Sequence, residues 1–455
     1  MGASHMSVTE RPGELLSTTT STAGVTVTSM NHASLLLQRY GFRLLTDPWF
    51  SGTAFAGAWG LRVENPDAEE LAEAATHVWI SNQHADHFHP ATLSALAART
   101  PNIKVLANDS YNFSMAPRLH ALGFRRVIAV PERRWVRLDD DVELLRIPSG
   151  GIDNALVIRT PDYTVLNYND CNLPGSALRG VLRTVGRIDC LCTNYDLASK
   201  LLEPFDAHAV KDRARDGLRR TIDVVDPAAV IPFASSHYFR SAPTACQNLA
   251  FLSPDELAEL SDADPRIVAL RVGDSVTLSR RGQAQVSRRV PPVVELRRSI
   301  AIDRPSVEPG HVLAVASRFV KRLRRDFLGM RVVQQPLHVR IRDAGVTVTL
   351  DWTGPRFTVA APHIAAHSAD VVAWLESPFG GETFHVGGPF EVCRPCKPIL
   401  ERWLLVHLLS DNALSPRHTM KAALRPAGRR FLWNRREQAV ATLSRGRRQP
   451  GERRV

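Results

Sequence analysis

Three histidines and one aspartate lie close together in the segment SNQHADHFHP, residues 81–90: His84, Asp86, His87 and His89. The segment follows a run typical of a strand, and its closing proline is a favourable first residue for a helix. A loop can aim several ligands at one point, because its backbone is free of helix and strand periodicity. Neutral imidazole and carboxylate groups bind zinc and iron. The loop therefore predicts a metal centre, and a solvated loop with idle histidines is the less favoured interpretation.

Two later strand ends offer the further ligands that such a centre needs. Asp170 follows the strand-like run Thr164–Asn167, and His237 follows the run Val230–Phe233. Ligands at the ends of successive strands converge on one edge of a sheet. Each residue also has a simpler interpretation, with Asp170 capping a helix and His237 acting as a hydrogen-bonded loop histidine.

Short strands alternate with helices across the part of the chain that carries these residues. This order favours an α/β arrangement of two sheets covered by helices. The predicted strands are 25–30, 34–39, 42–46, 77–81, 104–107, 126–130, 142–147, 155–159, 164–168, 188–193 and 229–232, and the predicted helices are 67–75, 90–98, 111–122 and 206–224.

The length of 455 residues predicts more than one domain, because a single hydrophobic core rarely grows so large. We expect a tag remnant (MGASHM) and a poorly ordered N-terminus at 1–23, a catalytic domain at 24–290, a C-terminal α+β domain at 291–420 and a basic tail at 421–455. In the C-terminal domain the patterns predict helices at 315–327 and 398–409, and a hairpin of 338–341 with 346–350.

The positive charge is concentrated at the C-terminal end. Residues 421–455 contain eleven Lys or Arg and two acidic residues, so +9 of the net +11 lies there, and this argues against a nucleic-acid partner. The tail and the basic run Lys321–Arg325 could hold a phosphate-bearing carrier such as coenzyme A, although a solvated surface is favoured. No signal peptide or membrane span is recognisable, which predicts a cytoplasmic protein without a membrane partner.

Six cysteines are spread along the chain, and a cytoplasmic location predicts that they stay reduced. Cys393 and Cys396 form a single C-x-x-C pair. A zinc ribbon needs a second pair, and the sequence has none, so a structural role is favoured.

The H-x-D-H loop, the later aspartate and the final histidine resemble the metallo-β-lactamase superfamily. The metal domain of the CMP-N-acetylneuraminate hydroxylase group is more similar still, through the stretches 44–55, 79–90, 152–171 and 232–234. The resemblance implies a metallo-β-lactamase αββα sandwich with a C-terminal α+β extension. It further implies that Asp86, His87 and His237 hold one metal, His84 holds another, and Asp170 bridges the two, so Asp170 and His237 receive catalytic roles.

The chain departs from the superfamily pattern at two ligand positions. Asn82 stands where the loop usually begins with another histidine, and 149–151 (Ser-Gly-Gly) stand where a further histidine usually precedes the next strand. His89 and Asp153 are the candidates to complete the first site. Alternatively His89 caps a helix and Asp153 hydrogen-bonds a ligand, and His32 is the next candidate.

Replacing imidazole by oxygen ligands favours iron over zinc. The superfamily includes di-iron hydroxylases of natural-product pathways, the chloramphenicol and platensimycin types, and this resemblance implies antibiotic biosynthesis. We therefore favour a monooxygenase that uses two irons, dioxygen and an unidentified electron donor on a small molecule. The alternative is a zinc-dependent hydrolase. Four aromatic residues either line a pocket for a terpenoid or an acyl thioester or pack in the core: Trp49, Phe50, Phe55 and Trp59.

Overall fold

The computed structural model describes residues 7–12, 24–108, 115–139, 141–149, 153–196, 206–279, 284–290, 304–377, 379–411 and 414–424. They form two compact units. The first extends to residue 303 and includes His385–Pro389, and the second begins at Arg304. Among the described helices, none is long and apolar enough to cross a membrane.

The first unit is built from many short strands and from helices of six to nineteen residues. Its strands are β1 (Ser7–Pro12), β2 (Val25–Asn31), β3 (Ser34–Arg39), β4 (Phe42–Thr46), β5 (Thr53–Ala54), β6 (Trp59–Leu61), β7 (His77–Trp79), β8 (Lys104–Asn108), β9 (Arg126–Val130), β10 (Trp135–Asp139), β11 (Val142–Ser149), β12 (Asp153–Arg159), β13 (Thr164–Asn169), β14 (Cys190–Thr193), β15 (Ala229–Pro232), β16 (His237–Phe239), β17 (Ser275–Leu278) and β18 (Gln285–Val290). Its helices are α1 (Ala68–Glu73), α2 (Pro90–Arg99), α3 (Ala116–Ala121), α4 (Gly175–Val185), α5 (Ala207–Val225) and α6 (Pro254–Ala263), with 3-10 turns at Phe55–Gly57 and Ala245–Ala250.

Two large sheets and one small sheet organise this unit. The first sheet has the order β1-β18-β17-β2-β3-β4-β7-β8-β9, and the second has the order β10-β11-β12-β13-β14-β15. Strands β4, β7, β8 and β9 run parallel, as do β13, β14 and β15. The small sheet, β16-β6-β5, carries His237 at the start of β16.

The main core lies between the two large sheets, because successive side chains of a strand point to opposite faces. Leu44 of the first sheet and Leu156 of the second belong to the same buried cluster. Their neighbours, Leu45 and Val157, point outward into two other clusters.

The outer faces of both sheets are covered by helices. Leu45 packs in a cluster with residues of α1, α2 and α3, whereas Val157 packs with residues of α4, α5 and α6. The layers are therefore helix, sheet, sheet and helix, and the predicted αββα sandwich is confirmed.

Some element bounds differ from the sequence expectation. The helix expected at 111–122 is α3, Ala116–Ala121, and residues 109–114 lie outside the described part of the chain. Within the N-terminal segment that we expected to be poorly ordered, β1 pairs in parallel with β18.

The second unit is an α+β unit with one five-stranded sheet, in the order β21-β20-β19-β22-β23. The predicted hairpin and both predicted helices are present, and the first helix starts earlier because Pro309 stands in its first turn. The elements are α7 (Pro309–Asp326), β19 (Leu337–Ile341), β20 (Val346–Leu350), β21 (Arg356–Thr358), β22 (Ile364–Ala366), α8 (Ser368–Glu376), α9 (Gly380–Gly387), β23 (Phe390–Val392), a 3-10 turn (Arg394–Cys396), α10 (Lys397–Asp411) and α11 (Pro416–Ala423).

One sequence expectation about this unit was wrong. Cys393 and Cys396 are joined by a disulfide, although we expected reduced thiols. The two cysteines flank a single turn that leads into α10, so their spacing brings the sulfur atoms together. Residues 291–303, which follow the expected domain boundary, and most of the basic tail lie outside the described residues.

Candidate metal centre

The candidate ligands lie where several strands of the two sheets end or begin. The loop 81–89 follows β7, and Asp170 comes directly after β13. Asp153 is the first residue of β12, which is antiparallel to β13. The register of these two strands, continued past the pair Leu156–Asn167, sets Asp153 opposite Asp170. The topology thus gathers residues that are far apart in the sequence.

His87 lies at the middle of the cluster and is 1% exposed. Its Nδ1–H donates to Oδ2 of Asp47, at 3.0 Å. Its Nε2 faces Oδ2 of Asp86 and Oδ2 of Asp170, each at 3.4 Å. One ring nitrogen is therefore held by a carboxylate while the other points at two further candidate ligands.

Asp47 is fully buried and anchors this arrangement. Its carboxylate accepts the backbone N–H and the hydroxyl of Ser81, both at 2.7 Å. It also accepts Nδ2 of Asn169 at 3.0 Å. Asp47 therefore ties the His-rich loop to the residue that precedes Asp170.

His32 contacts the carboxylate of the His-rich loop, Asp86. Its Nε2–H donates to Oδ2 of Asp86 at 3.1 Å, and both side chains are buried. The His32 ring also meets the ring of His237 edge to face, with 5.1 Å between the centroids. His32 thereby connects the loop with the last of the predicted ligands.

A second group of ligand atoms lies on the more open side of the cluster. One ligand atom from each of His84, Asp153 and Asp170 lies within 4.8 Å of the other two. Nδ1 of His84 is 3.9 Å from Oδ1 of Asp153. These three side chains are partly exposed, in contrast to His87 and Asp86.

His237 is buried against aromatic side chains. The Trp59 ring stacks on it with 3.9 Å between centroids and 15° between planes. Phe251 meets the same ring edge to face, at 5.0 Å. His237 is therefore fixed in orientation by packing, and its nitrogens are screened from water.

His89 lies beside this group but uses both ring nitrogens elsewhere. Its Nδ1 accepts the Thr92 N–H and so caps α2, and its Nε2–H donates to the carbonyl oxygen of Thr53 at 3.2 Å. Of the two roles left open by the sequence, the geometry supports capping. We leave His89 out of the ligand set.

Asn82, which replaces the usual first histidine, is also engaged locally. Its side-chain oxygen accepts a hydrogen bond from the backbone N–H of His84 at 2.8 Å, and the Asn82 side chain is fully buried. It shapes the loop that presents His84.

Charge concentrates strongly around His87. Burial disfavours its protonated form, but Asp86, Asp170 and Asp47 outweigh burial and raise the His87 pKa well above its usual value. Burial likewise opposes ionisation of Asp86, yet His87 and His32 hold the pKa of that carboxyl well below its usual range. The site thus keeps several carboxylates ionised in a buried place, which a cation stabilises.

The backbone is strained at three of these positions. His32, Asp47 and Asn169 have φ values of 24°, 37° and 54°, in the region that side-chain-bearing residues seldom adopt. Such strain persists where surrounding contacts enforce it and is common at functional sites.

Several buried polar atoms of the cluster have no hydrogen-bond partner within the described structure. They are Nδ1 of His32, Oδ1 of Asp86, Oδ1 of Asp170, and both ring nitrogens of His237. An unsatisfied buried polar atom costs on the order of 1–3 kcal/mol, and metal ligation would remove that cost. The residues present therefore fit a metal centre.

The four aromatic residues discussed above are core residues. Trp49, Phe50, Phe55 and Trp59 are each no more than 6% exposed. Three of them share one buried cluster with Phe239 and Phe251. Of the two roles left open for them, the geometry supports packing, so they give no support to a terpenoid or acyl-thioester pocket.

Sequence reasoning missed the residues that support the ligands. Asp47 and Asn169 lie only within stretches of family resemblance, and Ser81 is only the first residue of the His-rich segment. A polar residue at the end of a buried strand was the available signal: Asp47 follows β4 directly, and Asn169 is the last residue of β13.

Comparison with known proteins agrees with this fold. The family described as beta-lactamase superfamily domain matches residues 26–167, which include β2 through most of β13. Over residues 26–167 the chain is thus similar to the beta-lactamase superfamily domain, and its αββα layers are those of the metallo-β-lactamase fold.

The curated relatives include proteins named as hydroxylases. The cytidine monophosphate-N-acetylneuraminic acid hydroxylase of Danio rerio is 29% identical over 258 residues, which cover 52% of this chain and 42% of the relative. This chain thus matches less than half of that protein.

Solved structures of two kinds are similar to a little over half of the chain. CmlA, a diiron beta-hydroxylase from Streptomyces venezuelae, has a TM-score of 0.40 and 19% identity, with 57% of this chain and 55% of that chain covered. A possible metal-dependent hydrolase from Veillonella parvula has a TM-score of 0.44 and 13% identity, with 56% and 100% covered.

Proposed function

We propose that this protein is an iron-dependent monooxygenase that hydroxylates a small molecule, with two irons in the centre of the first unit. The observation that supports this proposal most is the group of possible ligands His84, Asp153 and Asp170, which contains two carboxylates and one imidazole. Oxygen-rich ligand sets of this kind suit ferrous iron. The name of the Danio rerio relative supports hydroxylation as the type of reaction.

The ligands divide into two groups that share one carboxylate. His84, Asp153 and Asp170 would hold one iron, and Asp86, His87 and His237 together with Asp170 would hold the other. When bound, iron supplies one-electron redox chemistry with dioxygen, and the electrons come from a donor not yet identified.

The protein itself selects the ring nitrogens that ligation requires. Because the His87 Nδ1–H donates to Asp47, Nε2, which faces Asp86 and Asp170, is the nitrogen that would bind a metal, and the metal would displace its proton. The His32 Nε2–H donates a hydrogen bond to Oδ2 of Asp86, so Oδ1 is the carboxylate oxygen that could bind a metal. Supporting contacts of this kind orient ligands and raise metal affinity.

A second candidate function is hydrolysis with zinc. The description of the family that matches residues 26–167 names beta-lactamase, which is a hydrolase. Imidazole and carboxylate groups also bind zinc. Zinc held by the same side chains would supply Lewis-acid activation of water, and dioxygen would not be needed.

Separate loading of the metal-free protein with ferrous iron or zinc distinguishes the two functions without a known substrate. We expect the iron-loaded, chemically reduced protein to consume dioxygen, and the zinc-loaded protein to consume none. The Asp170→Asn variant is the control, since it keeps the fold but removes the shared carboxylate. Equal dioxygen uptake by the iron-loaded wild type and the iron-loaded Asp170→Asn would overturn the proposal.

A further inference from the structure

Two histidines and a cysteine lie side by side on one face of the second unit's sheet. In the parallel pair β19–β22, Val339 is level with Ile364, so His338 is level with His363. The two imidazole rings are 4.5 Å apart between centroids. In the antiparallel pair β22–β23, Ile364 faces Val392, so His363 faces Cys393, whose N–H donates to the His363 carbonyl at 3.1 Å.

This row lies on the face away from the hydrophobic core. Leu337, Val339 and Ile341 alternate with His338 along β19, and all three are buried in the cluster of the second unit. His338, His363 and Cys393 are instead partly exposed. Paired residues of neighbouring strands share a face, so the three side chains project to the same side of the sheet.

In each of the two histidines, Nδ1 of the ring makes a hydrogen bond within the protein, whereas Nε2 does not take part in it. Nδ1 of His338 lies 2.9 Å from the hydroxyl oxygen of Thr349, and Nδ1 of His363 accepts the backbone N–H of His338 at 3.2 Å. Nε2 is therefore the nitrogen that remains for ligation on each ring. Holding a histidine by Nδ1 is the usual way in which proteins orient it towards a metal.

Cys396 adds a fourth group. It follows Cys393 by one turn, with 5.2 Å between the Cα atoms. A C-x-x-C pair supplies two thiolates to a zinc ion, and a structural zinc site needs four ligands in total. The sequence contains no second C-x-x-C, but the strand register supplies two imidazoles in its place.

We propose that His338, His363, Cys393 and Cys396 form a zinc site when the Cys393–Cys396 disulfide is reduced. The ligand set is two thiolates and two neutral imidazoles, which zinc prefers in tetrahedral structural sites. Zinc would then link β19, β22 and β23 with the turn that leads into α10. The site does not depend on the proposed function of the first unit.

The redox step balances with a dithiol as the reductant. The dithiol transfers two electrons and two protons to the disulfide and becomes a disulfide itself, which leaves Cys393 and Cys396 as thiols. Zinc binding then releases two protons as the thiols become thiolates. Reoxidation of the pair would expel the metal.

Cobalt(II) titration of the full-length protein, reduced with dithiothreitol under anaerobic conditions, tests the site. Thiolate ligands give cobalt a charge-transfer absorption in the near ultraviolet, which the imidazole and carboxylate ligands of the first unit cannot give. We expect this absorption to reach one equivalent per chain, to disappear in Cys393→Ser and to weaken in His363→Gln. Cys246→Ser and His311→Gln, which change exposed residues elsewhere, are the matched controls and should leave it unchanged.

Zinc content gives a second readout that needs no variant. The reduced wild-type protein should bind one more zinc per chain than the same protein with its disulfide intact. An unchanged zinc count after reduction, or a thiolate absorption that persists in Cys393→Ser, would overturn the proposal. An iron–sulfur chromophore lost in Cys393→Ser would overturn the assignment to zinc.

Discussion

Nδ1 of His87 lies 3.0 Å from Oδ2 of Asp47, a residue 40 positions earlier in the chain. Both side chains are almost completely buried. This contact holds the His87 ring so that Nε2 faces both Asp86 and Asp170. The proposed metal centre would therefore depend on a carboxylate that does not itself belong to the proposed ligand set.

Replacement of Asp47 by Asn should weaken metal binding although every proposed ligand remains. The amide removes the negative charge that holds His87, and loss of such a support typically lowers metal affinity about 10–100-fold. Chelator competition on the iron-loaded protein measures this change. Asp162→Asn, at a partly exposed carboxylate that pairs with Arg39, is the control and should have no effect. Wild-type affinity in Asp47→Asn would contradict the role assigned to Asp47.

His32→Ala should also lower metal affinity, because it removes the donor that holds Oδ2 of Asp86. His32→Gln offers an amide N–H to the same oxygen and should recover part of the affinity. Iron content per chain and chelator competition report the effect. If Ala and Gln behave alike and both match the wild type, His32 does not position Asp86.

His89→Ala should change stability and leave the metal content unchanged. The variant removes the cap of α2, which costs about 0.5–2 kcal/mol. Urea unfolding measures the stability and elemental analysis measures the metal. A loss of metal with unaltered unfolding would return His89 to the ligand set.

The stability of the first unit should depend on the ionisation of Glu256. Burial opposes ionisation of this residue, but Lys211 and the N–H of Ser253 outweigh burial and lower its pKa to about 2. Because this folded-state pKa lies below the ordinary value of 4.5, Glu256 contributes stability above about pH 4.5, and the contribution is lost as the pH falls towards 2.

Glu256→Gln removes that contribution but keeps a side-chain oxygen that can accept the Ser253 N–H in the capping box of α6. We expect a loss of about 1 kcal/mol at neutral pH and a smaller loss near pH 3. Urea unfolding followed by circular dichroism at the two pH values provides the measurement. Glu259→Gln, at an exposed position of the same helix, should be neutral. A loss in Glu256→Gln that is equally large at both pH values would show that ionisation is not its source.

Local patterns in the sequence predicted two sheets covered by helices in the first unit, and the family resemblance added the αββα order of the layers. Successive strand residues, such as Leu44 and Leu45, pack on opposite sides of a sheet. The bounds of α2 followed from Pro90, and those of β9 from its apolar run. Short-range periodicity carries this information.

Contacts that depend on strand register could not be predicted in the same way. Asp153 lies opposite Asp170 because β12 and β13 pair in one particular register, and spacing in the sequence does not specify it. Asn169 reaches Asp47 across 122 positions. The row of His338, His363 and Cys393 likewise appears only when β19, β22 and β23 are aligned.

Mössbauer spectroscopy of the protein loaded with iron-57 under anaerobic conditions tests the central claim most directly. Cys393→Ser should be used as the background, so that the second unit contributes no iron. We predict two ferrous sites of equal area, both oxidised when dioxygen is admitted, and the loss of about one iron per chain in Asp153→Asn. A single iron site, or an iron count and spectrum that Asp153→Asn leaves unchanged, would contradict the account.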